Sequence, residues 1–156
     1  MVRTFPVNWL LFGCVLLVGC RAGRTSATNS VYTLGQVVSS TSEAGLEEAI
    51  KSGVAAALTE RAAFAESGAP VIDVAVLAAA VQATSASPAG QTFAARLQIS
   101  VRTEGRSAQF SSERSYTVID DIQGQAARAA AFDGLSSALA LDAVEWLLAG
   151  DRGDDE

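Results

Sequence analysis

The sequence predicts an α+β two-layer sandwich in which about four strands form a mixed sheet packed by two helices, in the order β-α-β-β-β-α. Apolar residues recur at every fourth position after residue 43, which is the spacing of one helix face. Apolar and polar residues alternate from Phe93 to Arg102, which is the pattern of a half-buried strand. The length of 156 residues allows one such domain, and 30 alanines against 6% aromatic residues predict a core of small side chains.

The first strand and the first helix follow from residue type and spacing. Residues 31–38 predict a strand because they are rich in β-branched side chains. We predict a helix over 43–66, with Thr41 or Ser42 as its cap and Gly68-Ala69-Pro70 as its stop. Its apolar face is formed by Leu46, Ile50, Val54 and Leu58.

The middle of the chain predicts two strands joined by a loop. Residues 71–81 are almost continuously apolar, which is typical of a central strand with both faces at least partly covered. The polar residues 84–90 predict a loop. The next strand has its buried face formed by Phe93, Ala95, Leu97, Ile99 and Val101.

A tight turn at Glu104-Gly105-Arg106 returns the chain as an antiparallel hairpin. Ser112 and Arg114 interrupt the apolar face of the returning strand and predict either a bulge or a sheet edge. The residues of that strand expected to face the core are Ala108, Phe110, Tyr116 and Val118.

The last element is a helix predicted over 125–148, with Asp120 or Asp121 as its cap. Its apolar residues form two sets, one meeting the sheet and the other meeting the first helix or a partner protein. The first set is Ala131, Leu135, Ala138, Leu139 and Trp146, and the second is Ala130, Gly134, Leu141, Val144 and Leu148.

The N-terminal segment has the layout of a secretory signal, which we assign to residues 1–19. Arg3 precedes an apolar run of about ten residues, too short for the ~20 that a membrane-spanning helix needs. Leu17-Val18-Gly19-Cys20 resembles a bacterial lipobox, whose cysteine becomes the acylated first residue of the mature protein. Acyl chains would anchor the domain to a membrane. The alternative is a plain secretory signal cut elsewhere, with Cys20 left as a free thiol.

Lipidation defines the predicted organisation of the chain. The lipidated cysteine and a flexible tether occupy 20–30, the single α+β domain 31–149, and an acidic disordered tail 150–156. Arg21 stands where an aspartate is the usual inner-membrane retention signal, which favours the outer membrane of a bacterial cell envelope. Because Cys14 leaves with the signal, no intramolecular disulfide is possible in the mature chain.

The composition argues against several classes of function. A net charge of −6 disfavours nucleic acid as a partner. The chain has no histidine, which removes most general acid/base schemes and most zinc sites, so we predict no enzyme, no cofactor and no metal site. The acidic residues after Gly150 lack the spacing of a calcium loop, and Lys51 faces away from its neighbour Ser52.

Four arginines are the candidate ligand-binding residues. Arg96 and Arg102, with Arg106 and Arg114, are expected on or beside the solvent face of the hairpin. Several guanidinium groups there would bind an anionic lipid headgroup or a partner. The alternative is a solvated strand face whose charges protect the sheet edge.

The order of lipobox, tether, strand, helix, three strands and closing helix resembles the lipopolysaccharide-assembly lipoproteins (LptE-like) over residues 16–148. Local similarities are the segment from Thr41 to Ile50, which opens the first helix, and Gly90-Gln91-Thr92, which introduces the alternating strand.

The resemblance implies an outer-membrane lipoprotein that acts as a non-catalytic partner and plug of the lipopolysaccharide-assembly β-barrel translocon. Such a protein aids barrel assembly and the transfer of lipopolysaccharide, which it contacts, to the outer leaflet. Its domain faces the periplasm or lies inside the barrel lumen. One alternative is a structural accessory lipoprotein of another envelope machine, such as a secretion, pilus or transport complex or a cell-wall synthase activator. Another is a periplasmic ligand-binding or enzymatic domain.

Overall fold

The computed structural model describes residues 30–88, 90–119 and 121–150, and these form the predicted two-layer α+β sandwich with its mixed four-stranded sheet. The strand order is sequential; the first two strands are parallel and the others antiparallel. In chain order the elements are β1 (Thr33–Ser39), α1 (Leu46–Glu60), β2 (Val71–Ser87), β3 (Gly90–Thr103), β4 (Arg106–Val118) and α2 (Asp121–Gly150).

The core lies between one face of the sheet and the two helices. The predicted α1 face is buried, as are the β3 residues Ala95, Leu97, Ile99 and Val101, which confirms the alternation. Alanines let the two helices approach closely, and a Cβ on Gly53 of α1 would lie 3.1 Å from the Cβ of Ala140 on α2. Neither helix of the described residues is both long and apolar enough to cross a membrane. The signal peptide, Cys20, most of the tether and the tail after Gly150 lie outside the described residues.

Helix α1 is shorter than predicted at both ends. It begins at Leu46 after Gly45, whose φ of 82° is left-handed, and no side chain caps it, so the assignment of Thr41 or Ser42 as cap was wrong. It ends at Glu60 because the following residues turn back to the start of the sheet. Tyr32 N–H donates to Ala63 O at 2.8 Å, and Ala65 N–H donates to Tyr32 O at 2.9 Å.

Strand β2 is central, as predicted, but longer, and it is covered on one face only. Residues 84–87 were predicted as loop and instead continue the β2–β3 ladder to Ser87↔Gly90. A β-bulge at Leu77 shifts the register between Val76↔Ile99 and Ala78↔Gln98. Val71 and Leu77 are exposed, so the prediction of partial cover on both faces was wrong.

Strand β4 pairs with β3 without interruption from Thr103↔Arg106 to Gln91↔Val118. The predicted bulge is therefore absent, and the alternative, a sheet edge, is correct. Ser112 and Arg114 interrupt the apolar pattern because the strand is covered only by α2 and borders solvent.

Helix α2 buries a single broad stripe rather than two separate sides. Ala130, Ala138 and Leu141 are exposed, so the prediction of two apolar sides was wrong. The physical reason is that α1 and the sheet lie side by side against α2, so that one wide face meets both. The buried stripe is Ala131, Phe132, Leu135, Ser136, Leu139, Ala140, Ala143, Val144 and Leu147. The helix starts at Asp121, and Asp120 lies outside the described residues.

The bulge between Leu34 and Val37 of β1 depends on Gly35 and Asp73. Asp73 Oδ1 accepts the Gln36 N–H at 2.9 Å, and Gly35 leaves room for this carboxylate.

We expect Gly35→Ala to lower the free energy of unfolding by about 2 kcal/mol, because the new Cβ would meet Asp73 Oδ1 and lie 2.5 Å from Val71 Cγ1. Urea denaturation followed by circular dichroism measures the loss. Asp73→Ala should lower the free energy of unfolding less in the Gly35→Ala variant than in the wild type. If the losses of the two substitutions simply add in the double variant, the proposed clash is contradicted.

Adjacent serines of α2 give a matched test of the core. Ser136 Oγ is buried and has no hydrogen-bond partner among the described residues, whereas Ser137 is exposed and donates to Asp133 O at 3.0 Å. Both alanine substitutions gain helix propensity, but only Ser136→Ala removes an unsatisfied buried hydroxyl. We expect Ser136→Ala to be more stable than Ser137→Ala by about 1 kcal/mol in urea denaturation. The reverse order would show that the buried hydroxyl stabilises the core.

Candidate interaction surface

The face of the sheet opposite the helices is uncovered within the described residues, and we call it the open face. Its side chains are mostly small or carry hydroxyl or amide groups, and they leave a depression of about 470 Å³ over Ala78, Ala80, Gln98 and Ser111. They are Ala75, Ala78, Ala80 and Gln82 of β2, Thr92, Arg96, Gln98, Ser100 and Arg102 of β3, and Ser107, Gln109, Ser111, Glu113, Ser115 and Thr117 of β4, with Asp73 at one end.

Polar groups of the open face pair with one another across β3 and β4. Gln98 Nε2 donates to Gln109 Oε1 at 3.2 Å, and the hydroxyls of Thr92 and Thr117 lie 3.3 Å apart. Arg96 and Glu113 form an ion pair. Cross-strand pairs of this kind satisfy side chains without a ligand.

Charge is distributed unevenly between the two sides of the molecule. On the open face the carboxylates of Asp73 and Glu113 balance the guanidinium groups of Arg96 and Arg102. In the rest of the described residues, acidic side chains outnumber basic ones. The open face is thus a neutral surface on an acidic protein.

One corner of the open face is apolar. Val38 of β1 is 50% exposed and Leu77 of β2 is 40% exposed, and they form this corner; Val71, at the other end of the β1–β2 pairing, is not part of it. Val38 stands opposite Ala75 in the parallel register, so these side chains continue the small-residue surface of β2. Exposed apolar side chains that gather in this way mark interaction surfaces. The sequence did not reveal this corner, because the same residues fit a strand buried on both faces.

The four candidate arginines divide between the two faces of the sheet. Arg96 and Arg102 lie on the open face as predicted. Arg106 and Arg114 lie on the helix side, so they do not join Arg96 and Arg102 on the solvent face; for Arg114 this agrees with its interruption of the apolar side of β4. The tight turn pairs Arg106 with Thr103, a buried residue of the inner face. Arg114 is eight residues after Arg106 in the same strand, and side chains an even number of residues apart lie on the same face.

Arg106 and Arg114 contact α2 instead. Arg106 Nη2 donates to Trp146 O at 3.1 Å and Nη1 to Leu147 O at 3.5 Å, while its guanidinium carbon lies 4.5 Å from the Trp146 ring centroid. Cations are favourable at the C-terminus of a helix, so Arg106 holds the end of α2 to the hairpin. The Arg114 guanidinium occupies the space beside Gly134, where a larger residue would displace it.

A groove opens on the helix side, between the start of α1, the first half of α2 and the inner face of β2–β4. One part, about 400 Å³, is lined by Glu43, Leu46, Ala49, Arg128 and Phe132 among others. The adjoining part, about 240 Å³, is lined by Val81, Phe93, Tyr116, Val118 and Gln125 together with Arg128. Phe93 and Tyr116 stack with ring centroids 5.4 Å apart.

Arg128 separates the two parts of this groove. Its Nε donates to Glu43 Oε1 at 3.1 Å, and the two side chains form an ion pair. The hydrogen bond to Glu43 raises the pKa of Arg128 above its usual value, against the opposing effect of burial. Sequence reasoning missed this groove, because Arg128 lies in a helical pattern and its partner Glu43 is 85 residues away.

The described residues contain no group of three or more histidine, cysteine, aspartate or glutamate side chains that could hold a metal ion. Both surfaces offer hydrogen-bonding groups, apolar side chains and charges, which are features of surfaces that bind macromolecules or amphiphilic ligands.

The fold is similar to that of several solved bacterial proteins. A minor lipoprotein from Acinetobacter baumannii has a TM-score of 0.54 and 12% identity, over 78% of this chain and 94% of that one. The rare lipoprotein B from Shewanella oneidensis has a TM-score of 0.54 and 12% identity, over 80% and 99%. A Xanthomonas campestris protein has a TM-score of 0.56 and 14% identity, over 80% and 87%. At these identities the likeness establishes the fold.

No protein-family model matches the chain. No curated protein matches its sequence either.

The division of the arginines is directly testable. We expect Arg106→Ala to lower the free energy of unfolding by about 1 to 2 kcal/mol, because it removes charged hydrogen bonds to the end of α2. Arg96→Ala removes an exposed ion pair and should change it by less than about 0.5 kcal/mol. Urea denaturation measures both. Equal losses would contradict the separation into a structural and a solvent-facing arginine.

Proposed function

We propose that this chain is a lipid-anchored protein of the bacterial outer membrane that acts as a non-catalytic partner of a β-barrel protein. The open face carries the proposal, because it is a broad neutral surface with an apolar corner and satisfied polar groups. A surface of this kind suits contact with the polar wall of a barrel lumen, where buried charges without partners would be costly.

Anchorage supports this role. The lipobox-like Leu17-Val18-Gly19-Cys20 and the polar residues that follow give the domain a lipid anchor and a tether. The described chain starts beside the end of α2, where the Tyr32 hydroxyl donates to Leu147 O at 3.3 Å. The membrane would therefore lie nearest that end of the domain, and the β2–β3 turn would point away from it.

The likeness in fold adds support for an envelope lipoprotein. Two of the similar structures are named lipoproteins, the minor lipoprotein of Acinetobacter baumannii and the rare lipoprotein B of Shewanella oneidensis. Together with the resemblance to the lipopolysaccharide-assembly lipoproteins, this favours the translocon barrel as the partner. The protein would aid barrel assembly and the passage of lipopolysaccharide to the outer leaflet.

The experiment that tests the proposal is a mild-detergent pull-down of the C-terminally tagged chain from its own membranes. Mass spectrometry then identifies the partners and the N-terminal peptide. A stoichiometric outer-membrane β-barrel together with an acylated Cys20 supports the proposal. An acylated Cys20 with a secretin or a cell-wall synthase in place of the barrel would show an accessory lipoprotein of another machine.

A variant of the open face gives a sharper prediction. Ser111 lies opposite Gln98, midway along β4, and lines the depression of the open face, whereas Ser52 is exposed on α1. We expect Ser111→Arg to reduce the co-purified barrel about tenfold or more, because a long charged side chain prevents close contact with the open face. Ser52→Arg adds the same charge to the helix side and should leave the complex unchanged. Equal retention of the barrel by both variants would contradict the use of the open face.

A further inference from the structure

The second half of β2 is a free sheet edge in the part of the chain that the structure describes. Strand β3 pairs with it from Ala78↔Gln98 to Ala86↔Gln91, but pairing with β1 ends at Ser39↔Val76. There the chain leaves β2, with Ser40 N–H donating to Val76 O at 3.2 Å and Ser40 Oγ to Leu77 O at 3.2 Å. We call residues Ala78–Ala86 the distal edge.

Alternation identifies the backbone groups at this edge. The carbonyls of Val76 and Leu77 both point toward β1, as their bonds with Ser40 require. Beyond the bulge, successive residues of a strand direct their N–H and C=O groups to opposite sides. The N–H and C=O groups of Ala79, Val81 and Ala83 therefore point outward, in line with β1 and away from β3.

The other sheet edges carry features that oppose strand addition. Strand β1 has only seven residues and contains a bulge, where the Asp73 carboxylate accepts a hydrogen bond from the Gln36 N–H. Strand β4 carries Arg106, Glu113 and Arg114. Short strands, bulges and charged side chains prevent another strand from pairing with a sheet edge. The distal edge has a register shift between Ala83 and Ser85, but its residues 78–83 pair regularly with β3 and include no charged residue and no proline. This stretch is therefore the least protected edge among the described strands.

The helix side of the distal edge is apolar and open. Val81 and Phe93 line the groove of about 240 Å³ together with Tyr116 and Val118. A strand added beside Ala79, Val81 and Ala83 would place every second side chain on this inner side, next to the groove. The edge thus offers backbone hydrogen bonds and a place for apolar side chains, the two elements of recognition by strand addition.

Acidic residues lie near the start of the distal edge. Glu43 is in the segment between β1 and α1, and Glu47 is in the first turn of α1, where its Oε1 accepts the N–H of Ser39, the residue opposite Val76, at 2.8 Å. Glu48 is exposed beside them, and Arg128 is the basic residue paired with Glu43. A partner segment that carries a basic residue at this end would be favoured by charge.

We propose that the distal edge is a strand-addition site for an extended segment of the partner protein. The segment would be apolar at alternate positions and basic at the end that meets Glu43 and Glu47. This inference rests on the proposed function and deepens it, because it names the second contact between this chain and its partner.

Amide hydrogen exchange of the full chain, purified in detergent, tests the site. The probe is an eight-residue peptide that alternates valine with threonine and ends in arginine; the control peptide is N-methylated at alternate residues. We expect the first peptide to slow exchange at Ala79, Val81 and Ala83 about tenfold or more, and the control peptide to have no effect.

A matched pair of variants at one position separates the backbone from the side chain. Ala83→Pro removes one N–H that points to the free edge and leaves the β2–β3 ladder in place, whereas Ala83→Val keeps the N–H. We expect the proline variant to lose the protection by the peptide and the valine variant to keep it. Circular dichroism verifies that both are folded. If Ala83→Pro is unfolded, Ala83→Lys serves instead, since an edge lysine opposes strand addition.

Several outcomes would overturn the inference. One is protection confined to β4 or to the open face. Another is protection of the three amides before any peptide is added, which would mean that a second copy or the chain's own N-terminal segment occupies the edge. A barrel that co-purifies equally with Ala83→Pro and with the wild type would also overturn it while leaving the proposed function intact. Absence of any barrel with the wild type, combined with peptide protection at the edge, would reject the proposed function alone.

Discussion

The β-bulge at Leu77 determines which side chains of β2 face the helices. Before the bulge, Ile72, Val74 and Val76 are buried; after it, Ala79 and Val81 take the inner positions. Without the extra residue, the period of two would place Ala78, Ala80 and Gln82 there instead. The bulge therefore keeps the apolar side of β2 on one face of the sheet from Ile72 to Val81, before a second register shift between Ala83 and Ser85. The small side chains of the open face and the groove beside Val81 both depend on it.

The two proposed contacts with a partner lie on adjoining parts of β2. The open face offers small and neutral side chains, and the distal edge offers backbone groups. The helices carry much of the acidic charge, so they are suited to remain in water. In the proposed arrangement the sheet layer binds the partner and the helix layer stays in water. The end of α2, held by Arg106 and Tyr32, lies on the side where the proposed lipid anchor would join.

Local patterns predicted most of the fold. The spacing from Leu46 to Leu58 and the alternation from Phe93 to Val101 depend only on neighbours in the chain, and both are confirmed. The errors come from contacts distant in sequence. Helix α1 ends early because Tyr32 binds the segment that follows it, and residues 84–87 extend β2 because they pair with β3. The same holds for the site: Arg96 and Arg102 follow from alternation, but Arg106 binds α2 some 40 residues away.

Photo-cross-linking in living cells tests the central claim most directly. A photo-reactive amino acid at Ser111, on the open face, or at Ser52, on the helix side, reports which layer of the sandwich contacts the partner. We expect an adduct with an outer-membrane β-barrel from position 111 and none from position 52. An adduct from position 52 alone would contradict it, because the helix layer would then be the binding surface.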